Sequence, residues 1–217
     1  MGKFAPMEFM DSTLNTYLDK NCDPESDLLA RIDRETHLTQ IQSHMISGHY
    51  QGRLLAMLSK MLMPKRILEI GTYTGYSALC LAEGLPADGE LHTIDQNEEL
   101  EERVQGYFDE SEKKHQIHYH IGDAGTIIPQ IPGNFDLVFI DADKKNNLHY
   151  FEMMMQRTQS GAIIMIDNVL WKGRVFDEQP DKQTAQVLQL NEALASDTRV
   201  EKLILPIRDG LYILRKK

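Results

Sequence analysis

The stretch Arg66-Ile67-Leu68-Glu69-Ile70-Gly71-Thr72-Tyr73-Thr74-Gly75-Tyr76-Ser77 decides the fold. It begins as an apolar run, stops at an acidic, glycine-spaced turn and then opens a helix. Open α/β sheets build nucleotide pockets from such a strand–turn–helix unit. The turn reads Glu-x-Gly-x-x-x-Gly, not the Gly-x-Gly-x-x-Gly that admits a pyrophosphate. A carboxylate at Glu69 repels a diphosphate but suits a ligand with an amino group and a sulfonium centre. The pattern therefore favours S-adenosylmethionine over NAD, with a purely structural glycine-packed turn as the alternative.

Working outward, short apolar runs alternate with helical segments from Lys65 onward. Strands are expected at 66–70, 90–95, 117–121, 135–140 and 161–166, and helices at 76–84, 97–114, 123–130 and 145–158. Such alternation predicts a parallel sheet with helices on both faces. A helix at 182–195 and strands at 199–207 and 211–215 follow, joined by the hairpin signal Asp209-Gly210. The expected architecture is a Rossmann-like, seven-stranded, mostly parallel sheet with an antiparallel C-terminal hairpin strand. Residues 1–63 read as an N-terminal helical part, with apolar positions such as Met7, Met10, Leu14 and Leu18 near helical spacing. Asp23-Pro24 separates its first two segments, and Gly48 and Gly52 punctuate the third. Methionines 45, 57, 61 and 63 read as filling a core or a subunit interface, with an adaptable binding surface as the alternative.

At 217 residues the chain is read as one domain with a sizeable core, its α/β part spanning 64–217. The 33 acidic residues against 23 basic ones give a net charge of −10, which weakens any general attraction to nucleic acid or anionic membranes. Cys22 and Cys80 show no framework spacing, and Cys80 reads as a small core residue. No apolar signal core and no run near the ~20 residues of a membrane helix is present, so a cytoplasmic protein is expected.

Ligands of doubly wound sheets bind beyond the carboxyl ends of the strands. Those ends carry Glu69-Ile70-Gly71, Asp95, Gly122-Asp123-Ala124, Asp141, and Asp167-Asn168. Asp95, 20 residues after Gly75, can accept hydrogen bonds from both ribose hydroxyls, or cap the following helix. Asp141 and Asp167, at neighbouring strand ends, would repel unless a cation or proton lay between them. With Asn168 they form an all-oxygen set suited to Mg²⁺, Mn²⁺ or Ca²⁺ and poor for zinc, and they leave about three octahedral positions for water and substrate. Helix capping is again the alternative. Lys144 could take a phenolic proton or stabilise a phenolate. His118 and His120 share a strand face, but no third ligand stands near them in the sequence and they read as structural. Trp171, the only tryptophan, would offer a flat plate beside the proposed metal.

Taken in order, these segments resemble one family. Leu68-Glu69-Ile70-Gly71-Thr72 with Gly75-Tyr76-Ser77, Gly122-Asp123-Ala124, Phe139-Ile140-Asp141-Ala142-Asp143-Lys144, Asp167-Asn168-Val169-Leu170-Trp171-Lys172-Gly173 and Leu205-Pro206-Ile207-Arg208-Asp209-Gly210 are similar to the metal-dependent, class I S-adenosylmethionine O-methyltransferases of the caffeoyl-coenzyme A and catechol type. The resemblance covers nearly the whole chain. It implies metal ligation by Asp141, Asp167 and Asn168, with Lys144 and Asp141 catalytic and Lys144, Asn168 and Trp171 at the acceptor. It implies cofactor contacts from Met45, Ser47, Glu69, Gly71, Ser77, Asp95, Ala124 and Asp141, and a homodimer. Two departures stand out. Asn147 occupies a position where relatives often carry tyrosine, and the 173–190 segment is shorter than in the plant enzymes, where an insertion helps hold the coenzyme A ester. A small catechol-like acceptor is therefore expected. The nearest rival is a transfer RNA 5-hydroxyuridine methyltransferase, which would use a flipped-out base. An NAD-dependent oxidoreductase and a non-catalytic binding protein are disfavoured by Glu69 and by the Asp141, Lys144, Asp167, Asn168 set.

Overall fold

The computed structural model describes residues 12–217, and Met7 and Met10 lie outside them. The chain divides into two compact units, one formed by Asn15–Gly133 and the other built on Asn134–Lys217. Helices α1 (Ser12–Asn21), α2 (Asp27–Thr39) and α3 (Gly48–Leu62) come first. They lead into β1 (Arg66–Ile70), α4 (Tyr76–Ala82), β2 (Glu90–Asp95), α5 (Glu101–Glu110), β3 (Ile117–Ile121) and α6 (Ala124–Ile127). The second unit holds β4 (Phe135–Ile140), α7 (Asn147–Arg157), β5 (Thr158–Asp167), α8 (Lys182–Ser196), β6 (Val200–Leu205) and β7 (Leu211–Lys216).

Within the first unit β2 pairs in parallel with both β1 and β3, in registers running Arg66↔Glu90 to Ile70↔Ile94 and Leu91↔Ile117 to Asp95↔Ile121. In the second, β4 and β5 are parallel, while β7 runs antiparallel to both β5 and β6. The seven strands run in the order β3-β2-β1 within the first unit and β4-β5-β7-β6 within the second. Leu137, Val138, Phe139 and Ile140 of β4 are all fully buried. Parallel strands covered on both faces read as continuous apolar runs for that reason, and each such side chain contributes roughly 1.5–3 kcal/mol of burial.

Three helix ends differ from expectation. The helix expected at 76–84 stops at Ala82, where the amides of Glu83, Gly84 and Leu85 turn to the carbonyls of Cys80, Leu81 and Ala82, and a Cβ on Gly84 would lie 2.2 Å from the Ser59 backbone carbon. The Ser59 hydroxyl there donates to the Leu81 carbonyl at 2.6 Å. The helix expected at 97–114 becomes a 3₁₀ turn at Glu98–Leu100 and a short α5. Asp109 and Glu110 oppose the helix dipole at its C-terminal end, and the Ser111 hydroxyl accepts the Lys113 amide at 3.1 Å. At 123–130 the α-helix ends at Ile127 and tightens to 3₁₀, since Pro129 has no amide to donate.

Gly52 does not break α3; it is the point where α3 meets α4. A Cβ there would stand 2.6 Å from Tyr76 Cε1 and 2.9 Å from Cys80 Sγ. Cys80 is fully buried, as expected, and burial pushes its thiol up to about 12. Met45, Met57, Met61 and Met63 are exposed, so they fill no core of this chain. No helix among the described residues is long and apolar enough to cross a membrane.

Candidate active site

The first cluster gathers at the carboxyl ends of β1, β2 and β3. Gly71 adopts φ 105° and Gly122 φ 143°, conformations open to glycine. Their amides donate to the carbonyls of Ile94 (2.9 Å) and Asp95 (2.8 Å), which joins the three strand ends. The chain after β1 then turns tightly, with the Gly75 amide on the Thr72 carbonyl at 2.8 Å. Both oxygens of Asp95 are held: Oδ2 accepts the Tyr73 amide at 2.6 Å and Oδ1 the Asn97 amide at 2.9 Å. The helix-capping role belongs to Asn97, whose side chain accepts the Glu99 amide. Asp123 caps α6 by accepting the Thr126 amide at 2.9 Å, which sets Ala124 in the first turn, buried.

Glu69 is fully buried within β1. Its Oε2 accepts the Thr93 hydroxyl at 2.5 Å, so the 2.5 Å contact between Thr72 and Thr93 must have Thr72 as donor. The acid is thus anchored through the register partner Thr93, which sequence reasoning missed; a threonine inside an otherwise apolar strand was its only signal. Ser77 is buried in the first turn of α4, and Ser47 is buried at the start of α3, while Met45 is half exposed. The Tyr73 hydroxyl donates to the Gln42 carbonyl at 3.3 Å, tying the segment before α3 to the turn after β1.

The second cluster stands at the carboxyl ends of β4 and β5. Ile140 and Ile166 are register partners, so Asp141 and Asp167 follow side by side, as expected. Burial, and then the Asp167 charge, raise the Asp141 carboxyl above its ordinary range, with Lys144 and Arg208 opposing. Lys144 Nζ donates to Asn168 Oδ1 at 2.5 Å and to the Ala142 carbonyl at 3.1 Å, and lies 3.6 Å from Asp141. Asn168 adopts φ 62°, a region asparagine tolerates, and its amide donates to Asp167 Oδ1 at 2.8 Å. Lys144 Nζ also sits 5.9 Å from the centre of the Trp171 ring.

The loop after Asn168 is pinned by the β6–β7 hairpin. The Val169 and Leu170 amides donate to the Gly210 and Asp209 carbonyls at 3.1 and 2.9 Å. The Lys172 amide donates to the Asp209 carboxylate, which burial raises in pKa. A Cβ on Gly210 would lie 2.4 Å from Leu170 Cγ, so glycine is required for this approach. Asp209-Gly210 is therefore both the hairpin turn and the support of the Trp171 loop. Arg208, whose charge acts on Asp141, was not read from the sequence as a site residue.

The description O-methyltransferase fits a family model over residues 19–217. The chain belongs to the O-methyltransferase family. It is 37% identical to caffeoyl-CoA O-methyltransferase 1 of Zea mays over 185 residues, covering 79% of this chain and 72% of that one. The Arabidopsis thaliana enzyme of the same name is 35% identical, with 79% and 71% covered. The O-methyltransferase TomG from Streptomyces achromogenes, solved with S-adenosylmethionine, superposes with a TM-score of 0.87 at 28% identity, covering 94% of this chain and 96% of that one. A Bacillus cereus O-methyltransferase with S-adenosylhomocysteine gives 0.86 at 26%, with 94% and 97% covered. This O-methyltransferase is S-adenosylmethionine-dependent and of the caffeoyl-CoA type.

Proposed function

We propose that the protein methylates one oxygen of a small vicinal dihydroxy aromatic, with a divalent cation held by Asp141, Asp167 and Asn168. The observation that carries this reading is the second cluster: two carboxylates, an amide oxygen and an amine converge at adjacent strand ends. The donor chemistry fits a hard cation such as Mg²⁺, with Mn²⁺ or Ca²⁺ also suited. The raised Asp141 carboxyl, next to Asp167, fits it too, since a cation would relieve their repulsion. When bound, such an ion supplies Lewis-acid polarisation that lowers the proton affinity of a chelated hydroxyl.

The protein's own residues do the rest. Lys144 accepts the proton of the attacking hydroxyl, and Asn168, neutral, presents its oxygen beside that amine. Trp171 packs against the aromatic ring. Glu69, Gly71, Ser77, Asp95, Ala124, Met45, Ser47 and Asp141 hold the cofactor, with Asp95 on the ribose hydroxyls. The phenolate oxygen forms a bond to the methyl carbon as the sulfur–methyl bond breaks, and the electron pair stays on sulfur. Holding oxygen, carbon and sulfur in line accounts for much of the acceleration. The caffeoyl-CoA enzymes are named for an acceptor with vicinal hydroxyls. Here the segment 177–181 leads straight into α8, which favours a small phenol over a thioester. The exposed Met57, Met61, Leu62 and Met63 would be covered in a homodimer.

Two measurements check this reading. A simple catechol should exceed the matching monophenol in kcat/KM by about 10³ or more, because the site's polar groups stay unmet by the monophenol. If hydroxyuridine-containing RNA exceeds both, and loses its lead at high salt through weakened phosphate contacts, the acceptor assignment fails. Separately, Asp95→Ala should weaken S-adenosylmethionine binding at least about tenfold by calorimetry, since hydrogen bonds to a charged group contribute about 1.5–3 kcal/mol each. Unchanged affinity would leave Asp95 as a turn residue only.

A further inference from the structure

We propose a second metal site, for Zn²⁺ or a similar nitrogen-binding transition metal, formed by Glu90, His92 and His118 across β2 and β3. Glu90 and His92 alternate along β2 and so share a face, and His118 is the register partner of His92 on β3. One ligand atom from each lies within 4.8 Å of the others. His92 Nε2 is 3.3 Å from Glu90 Oε1, and His118 Nε2 is 3.5 Å from Glu90 Oε2. Ligands at zinc distances in a tetrahedron stand about 3.3–3.5 Å apart; each imidazole nitrogen stands at that distance from one of the two Glu90 oxygens, so a small turn of the carboxylate lets one oxygen serve both. The two imidazoles are stacked with centres 4.7 Å apart and planes 21° from parallel. Stacked rings point their in-plane lone pairs alongside one another, so the exposed His118 ring leaves the stack when both nitrogens turn toward one ion.

A further residue completes the arrangement. His120 Nε2 lies 3.0 Å from His92 Nδ1. With His92 Nδ1 as the donor in this pair, Nε2 is left for the metal, the arrangement that outer partners of ligating histidines favour. Arg66 pairs with Glu90 Oε1, the oxygen that His92 also approaches, and donates to the Pro132 carbonyl at 2.5 Å, so the carboxylate is held in place and Oε2 is left toward His118. The set is two nitrogens and one carboxylate, which leaves one position of a tetrahedron for water. It differs in kind from the all-oxygen set of Asp141, Asp167 and Asn168, and it belongs to the opening of β2, not to the carboxyl end of a strand. Its consequence is a clamp between the edge strand β3 and its neighbour β2. From the sequence His118 and His120 lacked a third partner because Glu90 and His92 come from another strand.

Cobalt(II) discriminates the two sites by geometry. Titration of the whole protein with Co²⁺ should produce the intense visible bands of tetrahedral cobalt, and Zn²⁺ should displace them. His118→Ala should abolish the bands and weaken Zn²⁺ binding by about 100-fold or more, since even outer partners are worth 10–100-fold. Asp167→Asn should leave them intact. His118 is exposed, so its replacement should keep cofactor binding unchanged and thereby report on the metal alone. Absence of tetrahedral bands in the wild type overturns the proposal, as does a band that His118→Ala retains.

Discussion

Asp167→Asn is expected to lower kcat about a thousandfold, because Lewis-acid polarisation is worth several kcal/mol and each 1.36 kcal/mol is a factor of ten. The substitution is nearly isosteric. Asp167 is buried at the end of β5, and its Oδ1 accepts the Asn168 amide at 2.8 Å, a bond that the asparagine oxygen can keep. What disappears is the second negative charge beside Asp141. S-adenosylmethionine affinity should therefore change little, because the residues proposed to bind the cofactor stand mainly at β1, β2 and β3. A second readout separates charge from shape. Burial first, and then the Asp167 charge, raise the Asp141 carboxyl, so removing that repulsion should raise the melting temperature of the chelator-treated variant. Full turnover after exhaustive chelation, or wild-type kcat in the variant, would remove the cation from the mechanism.

The legibility of this chain followed the distance over which each feature is determined. The β1 and β4 boundaries were readable because buried parallel strands are near-continuous apolar runs closed by turn residues, and β2 and β3 were readable from short runs with β-branched and aromatic residues between turn residues. β5 was read from 161 but begins at Thr158, because Thr158 and Gln159 carry no apolar signal and the strand is irregular opposite Phe135. Helix ends were less readable, since Gly84 against Ser59 is a contact made by folding. The site divides in the same way. Asp141, Asp167 and Asn168 were legible because strand ends are where such sheets place ligands. Thr93 under Glu69, Arg208 near Asp141, and Glu90 and His92 beside His118 were not. Each acts on its partner through a neighbouring strand or turn, and one chain read along its length does not reveal that pairing.

Lys144→Ala should depress kcat by about 10²–10⁴, the range of a positioned general base, with S-adenosylmethionine affinity preserved. Its amine stands 2.5 Å from Asn168 Oδ1 and 3.6 Å from Asp141, so it meets any hydroxyl brought to that cluster. The alanine variant alone would not separate proton transfer from simple charge, because it removes both. Lys144→Arg does separate them: the guanidinium keeps the positive charge but stays protonated throughout the accessible pH range. If Lys144 takes the phenolic proton, both variants fail at neutral pH. The alanine variant should then recover as pH rises, because solvent hydroxide can deprotonate the acceptor. If the residue serves only to hold a phenolate by charge, the arginine variant should keep most of its turnover and rising pH should help neither. Parallel pH–rate profiles of the three proteins on one catechol distinguish these outcomes. The profile of the arginine variant decides, because it alone keeps the charge at Asn168 while removing the base.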